Sequence, residues 1–109
     1  MSSRSWAVAA IGLCGLIIAG GAYAAASLVS QKGKTFTPEE LTQQRGSSIR
    51  IDNDDAVPHN IQVTTPDGEN RNMGMQKPGE FANVSLDKVG DYMVRCGIHP
   101  KMKLVIRAQ

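Results

Sequence analysis

The chain is expected to be all-β, folded as a small β-sandwich, on three observations. From Ser48 onward its apolar residues recur with a period of two. Gly-, Pro- and Asx-rich turns interrupt that alternation at short intervals. Each alternating segment has one apolar face, which a single small sheet could not bury by itself, so two sheets have to close on one another.

The elements follow in order. Residues 27–44 are polar. Within them Pro38-Glu39-Glu40-Leu41 fits either one helical turn capped by Thr37 or a short edge strand leading to the turn at Arg45-Gly46-Ser47. The strand is preferred, because so short a helix has little to hold it. Ser48–Asp52 alternates with Ile49 and Ile51 on one face, and Asn53-Asp54-Asp55 breaks it. His59–Thr64 resumes the alternation with His59, Ile61 and Val63 inward. After the turn at Pro66-Asp67-Gly68-Glu69 a polar loop containing Met73 and Met75 is expected. Lys77-Pro78-Gly79-Glu80 turns into Phe81–Leu86, with Ala82, Val84 and Leu86 on one side. Asp87-Lys88-Val89-Gly90 turns into Asp91–Cys96, whose Tyr92, Val94 and Cys96 share a face. Lys103–Ala108 is the last strand, giving five or six in all.

Residues 1–26 read as a signal peptide. Arg4 is the positive start, Trp6 to Ala26 is apolar or small, and Ala22-Tyr23-Ala24-Ala25-Ala26 offers cleavage sites after Ala24 or Ala26. The same run is long enough to serve as an uncleaved membrane anchor. Leu13 before Cys14, where a small residue is needed, argues against lipid attachment. Either way residues 27–109, a single domain, are expected outside the cytoplasm, in the periplasm.

The formal net charge is +2. Without Arg4 the balance is nearly even, and no basic stripe interleaved with aromatics suggests nucleic-acid binding. Lys77, Lys101 and Lys103 form a local basic group that suits either the steering of an acidic partner or a plain solvated rim.

Chemistry concentrates in few residues. Cys96 is the one cysteine beyond the leader, and His59 and His99 are the two histidines of the chain. Cys96 has no disulfide partner in the domain, and a free thiol in an oxidising space is a liability unless something occupies it. The run Cys96-Gly97-Ile98-His99-Pro100-Lys101-Met102 lets one short inter-strand loop aim thiolate, imidazole and thioether at a common centre, with His59 arriving from another strand. One thiolate, two imidazoles and a weak axial methionine form the donor set of a blue-copper electron-transfer centre. Zinc also accepts Cys and His, but has no use for a thioether. Taken singly the residues have plainer readings: a buried structural thiol, a core histidine, an exposed loop histidine, a core-filling methionine. Their spacing argues against all four. Met73, Met75 and Met93 lie outside the loop and are not expected to take the axial role.

With these residues in view, the chain resembles the cupredoxins, the type I blue-copper family. The Cys96–Met102 loop is similar to the short loop of amicyanins, whereas plastocyanins and pseudoazurins have longer His–Met spacing. Asn53-Asp54-Asp55-Ala56-Val57-Pro58-His59-Asn60, Lys77-Pro78-Gly79-Glu80-Phe81 and Val89-Gly90-Asp91-Tyr92 resemble further signatures of that family. The resemblance covers about Phe36 to Ala108. It implies a cupredoxin-like Greek-key β-sandwich holding one copper ion that cycles between Cu(I) and Cu(II). His59, Cys96, His99 and Met102 would be the ligands, with His99 reaching the surface and Asn60 tying the ligand loops together. The domain is short for the family, which leaves room for the loss of an N-terminal strand. Leu104 stands where many members have glycine.

The implied function is one-electron transport rather than enzymatic catalysis, since a filled axial position leaves no open coordination site. The expected partner is a redox protein, such as a c-type cytochrome or a copper or quinone dehydrogenase. It would dock on a monomer at an apolar patch of Pro58, Gly97, Pro100 and Met75 around His99. Copper delivery through the same ligands, or a membrane-tethered redox subunit, are the alternatives.

Overall fold

The computed structural model describes residues 27–109, so the expected leader at 1–26 lies outside the described residues. Nine strands are described: β1 (Ser27–Gln31), β2 (Phe36–Thr37), β3 (Glu40–Gln43), β4 (Ser48–Asn53), β5 (His59–Thr64), β6 (Asn70–Gln76), β7 (Phe81–Ser85), β8 (Gly90–Cys96) and β9 (Lys103–Ala108). They form two sheets, ordered β2-β1-β4-β7 and β3-β9-β8-β5-β6. β1 runs parallel to β4, and β3 parallel to β9. The other pairings are antiparallel. This is the all-β sandwich that the alternation calls for, of the cupredoxin-like kind that the resemblance implies.

The period-two pattern becomes the core directly. Val29, Ile49, Ile51 and Val84 from the first sheet meet Ile61, Val63, Tyr92, Val94, Leu104 and Ile106 from the second, all buried. Removal of this apolar surface from water is the main stabilising force. Leu104, the departure from the family's glycine, is fully buried among them. Tyr92 is also fully buried, yet its hydroxyl is satisfied. It donates to Asp87 Oδ1 at 3.0 Å and accepts the Lys88 N–H at 2.9 Å, fastening the turn before β8 to the strand it precedes.

Three expectations need correction. An N-terminal strand is present: β1 pairs with β4 from Ser27↔Ile49 to Gln31↔Asn53. Its alternation is masked because Leu28 is 59% exposed while the inward position opposite Asn53 is a glutamine, Gln31. The segment with Met73 and Met75 is not a loop but strand β6. It lies at a sheet edge, and a bulge in it, opposite the Ile61–Gln62 step of its neighbour, leaves Met73 without an opposite residue. The bulge breaks the parity that sequence periodicity relies on. Nine strands, not five or six, result from these two segments and the short β2, while β3 is the short edge strand preferred over a helical turn before Arg45-Gly46-Ser47.

At one end of the sandwich the apolar core gives way to amides. Gln31 Nε2 donates to Gln76 Oε1 across the sheets at 2.6 Å, and Gln76 Nε2 donates to Ile51 O at 3.1 Å. Asn53 Nδ2 reaches both Val57 O (3.0 Å) and Gln76 O (3.1 Å). The strand pairing His59↔Gln76 puts the start of β5 in this same layer.

Gly90 occupies φ +127°, and a Cβ there would lie 2.7 Å from Pro66 Cβ. Gly90→Ala should therefore lower unfolding free energy by about 2–3 kcal/mol, through backbone strain and collision. Urea denaturation measures this. A loss below about 0.5 kcal/mol would contradict the account.

Candidate metal centre

β5 and β8 are antiparallel neighbours with Ile61 opposite Cys96, so the start of one strand lies beside the end of the other. His59 opens β5 and Cys96 closes β8. The following loop is folded back by two backbone bonds, Gly97 N–H to Asn60 O at 2.9 Å and Met102 N–H to His99 O at 3.0 Å. A Cβ at Gly97 would fall 2.5 Å from Asn60 Oδ1 and 2.7 Å from Gln62 Nε2, so a side chain there would displace those two amide ends, which are bonded to each other.

This folding brings three of the expected residues together. Cys96 Sγ is 3.6 Å from His59 Nδ1 and 3.4 Å from His99 Nδ1, and the two Nδ1 atoms are 3.1 Å apart. His59 is fully buried, Cys96 nearly so, and His99 partly exposed. Met102, the fourth, is buried at the end of the same loop and belongs to the same core cluster as Cys96.

The tautomer of His59 follows from its surroundings. Its Nε2 is 2.9 Å from Asp55 Oδ2. Asp55 also accepts N–H bonds from Gly33 (3.0 Å) and Lys34 (2.9 Å) in the β1–β2 turn. The Lys34 N–H above all, with His59 and the Gly33 N–H, holds its carboxyl at about 2, against the desolvation that would raise it. An ionised carboxylate only accepts, so the proton of a neutral His59 sits on Nε2 and its Nδ1 lone pair faces the cluster. On the sulfur side the Asn60 N–H points at Cys96 Sγ from 3.3 Å, a contact that stabilises negative charge on sulfur. Partial burial lowers the pKa of His99, with the nearby Lys34 charge acting in the same direction and the Asp55 carboxylate against it. It therefore favours the neutral, electron-donating imidazole.

The donor set fits a metal ion. A triangle with these three edges has its centre about 2 Å from every corner, the length of a metal–imidazole or slightly less than a metal–thiolate bond. Three converging lone-pair donors are mutually repulsive unless a cation or proton lies between them.

Asp55 and Lys34 were not singled out in the sequence. The signal available for Asp55 was its position four residues before a buried histidine. For Lys34 there was none, because the contact depends on how the β1–β2 turn folds over β5. Around His99 the structure places Pro58, Gly97, Ile98, Pro100 and Lys101 at the surface, and Ile98, 47% exposed, joins the apolar patch unanticipated.

Fold and cluster together define a cupredoxin-type copper-binding domain, and comparison with known proteins agrees. Residues 24–108 match the family of copper binding proteins described as plastocyanin/azurin, and the chain belongs to that family. It is 39% identical over 75 residues to the methylamine utilization protein MauL of Methylophilus methylotrophus, an alignment covering 67% of this chain and 41% of that protein. The chain thus spans about two fifths of the length of that relative. Among solved structures, a reduced tryptophan-to-tyrosine variant of amicyanin superposes with a TM-score of 0.71 at 23% identity, over 77% of this chain and 82% of that one. The purple cupredoxin of Nitrosopumilus maritimus gives 0.67 at 21%, over 76% and 99%. The copper-containing nitrite reductase of Thermus scotoductus SA-01 gives 0.69 at 26%, over 78% of this chain and 22% of that one.

Asp55→Ala should retain the three donors but weaken copper binding about tenfold, because His59 loses the partner that orients it; competition with a chromophoric chelator measures this. The depressed carboxyl also sets a pH dependence. Its stabilising contribution is complete above the ordinary value of 3.8 and is lost as pH falls through about 2. Apo-protein stability should therefore decline over that window, less steeply in Asp55→Ala. Equal slopes would remove Asp55 from the account.

Proposed function

We propose that the chain is a one-electron carrier built on a type I copper centre, with His59, Cys96 and His99 as trigonal ligands and Met102 as the weak axial one. The observation that carries this reading is the triangle of two imidazole nitrogens and one sulfur around a point about 2 Å from each. Copper, when bound, supplies the Cu(I)/Cu(II) couple. The protein residues hold the donors in place and keep water away. Buried His59, Cys96 and Met102 close three sides, and partly exposed His99 forms the route to the surface.

On this reading the chain is a carrier and not an enzyme, working in the periplasm. Its partner is a c-type cytochrome or a copper or quinone dehydrogenase that docks over Pro58, Ile98 and Pro100. Exposed Lys34, Lys101 and Lys103 favour an acidic partner and speed encounter more than they hold the complex.

Protein given one equivalent of Cu(II) should be intensely coloured, with a narrow copper hyperfine pattern in electron paramagnetic resonance, and Cys96→Ser should abolish the colour. Met102→Gln should keep copper and lower the reduction potential, because a harder oxygen donor favours Cu(II). A colourless protein, or a spectrum typical of a tetragonal nitrogen/oxygen site, would falsify the type I assignment.

Electron exchange with the partner should slow as ionic strength rises. Lys101→Glu should slow it at low salt without moving the visible spectrum. A rate indifferent to both rejects the basic rim. A partner that instead strips the copper supports delivery rather than electron transport.

A further inference from the structure

Two methionines remain outside the centre just described. Met73 and Met75 are 40% and 54% exposed on edge strand β6. They line one open depression of about 460 Å³ where the edges of the two sheets part, β6 on one side and the Lys77–Ala82 segment on the other. The β6 bulge leaves Met73 without a cross-strand partner, and Met73 lines the same depression as Met75, two residues on. The remaining lining includes Gln76, whose amide turns inward to Gln31 and Ile51 O, Glu80, whose Oε1 accepts the Lys77 N–H at 2.7 Å, and Phe81. The face of the Phe81 ring is already covered by the Arg50 guanidinium, 3.9 Å from its centre. The two thioethers are therefore the soft donors of the depression, with Glu80 to balance a cation's charge.

We propose that Met73 and Met75 form a second metal site, selective for soft monovalent Cu(I). Thioether sulfur prefers Cu(I) over the harder divalent ions. It carries no proton at any ordinary pH, so this site binds independently of pH where the imidazole centre does not. Met75 pairs with Asn60, whose N–H faces Cys96 Sγ, so the second site lies on the strand adjoining the ligand strand.

The test uses silver(I), a redox-inert stand-in for Cu(I), with the first centre filled beforehand; its methionine NMR readout is separate from the colour that tests the type I assignment. Protein first given one equivalent of Cu(I) anaerobically is titrated with Ag(I), while the methionine methyl signals are followed by NMR. Met73 and Met75 methyls should move together and saturate at one equivalent, with Met102 unmoved and the affinity unchanged between about pH 5 and 8. Met73→Leu/Met75→Leu keeps size and apolarity but deletes both sulfurs. It should bind this Ag(I) at least about tenfold more weakly and still turn blue with Cu(II). Stationary Met73 and Met75 methyls, binding that disappears on acidification, or undiminished affinity in the double leucine variant each overturn the proposal. If only partner exchange rates change in that variant, the patch is a docking surface and the metal site is rejected.

Discussion

The centre rests on the hydrogen bond between His59 Nε2 and Asp55, since it decides which nitrogen of a buried ring faces the cluster. The carboxylate is itself fixed by the Gly33 and Lys34 N–H groups, so the orientation of His59 depends on the β1–β2 turn. That turn is held by the parallel pairing of β1 with β4. A ligand in one sheet is thus positioned by backbone donors that belong to the other. Without Asp55 the ring could carry its proton on either nitrogen, and one tautomer would present N–H where a lone pair is needed.

The sulfur side is organised by the opposite logic, from within a single sheet. The Ile61↔Cys96 pairing sets Sγ against the Asn60 N–H, and the Gly97 N–H to Asn60 O bond starts the loop that brings back His99. Each donor is therefore placed by strand register or by a backbone bond that needs no metal. A centre pre-formed in this way has little to rearrange when its charge changes by one. Were copper held there, as proposed, that property would favour rapid electron exchange over tight capture of one oxidation state.

The fold was largely legible because the buried face of each central strand is apolar and alternates without interruption: Ile49/Ile51, Ile61/Val63, Tyr92/Val94, Leu104/Ile106. The segments that escaped notice are those where parity fails. β1 hides an inward glutamine behind an exposed leucine, and β6 is an edge strand with a bulge. In the centre, the convergence of His59, Cys96 and His99 could be read because three of the four expected ligands sit in one seven-residue loop. Asp55 and Lys34 could not, because their contacts arise from the packing of a turn and leave no trace in periodicity. Gly97 gave no separate signal either, as the closeness of the Asn60 and Gln62 amides to it comes from across the strand pair.

The polar layer under the centre explains why this end of the sandwich is not filled with aliphatic side chains. Burying the amides of Gln31, Gln76 and Asn53 costs free energy unless they are paired, and pairing at best brings the balance near neutral. Leucines of similar volume would offer more hydrophobic stabilisation. They could not cross from β1 to β6 at 2.6 Å, nor tie Val57 O in the segment leading to His59. Asn53 also accepts the Asp55 N–H at 2.9 Å, so the layer reaches the carboxylate that orients the histidine. Directional bonds fix positions in a way that non-directional apolar contact does not. The layer gives up some stability for a defined donor geometry, and its location next to His59 is where that exchange has chemical value.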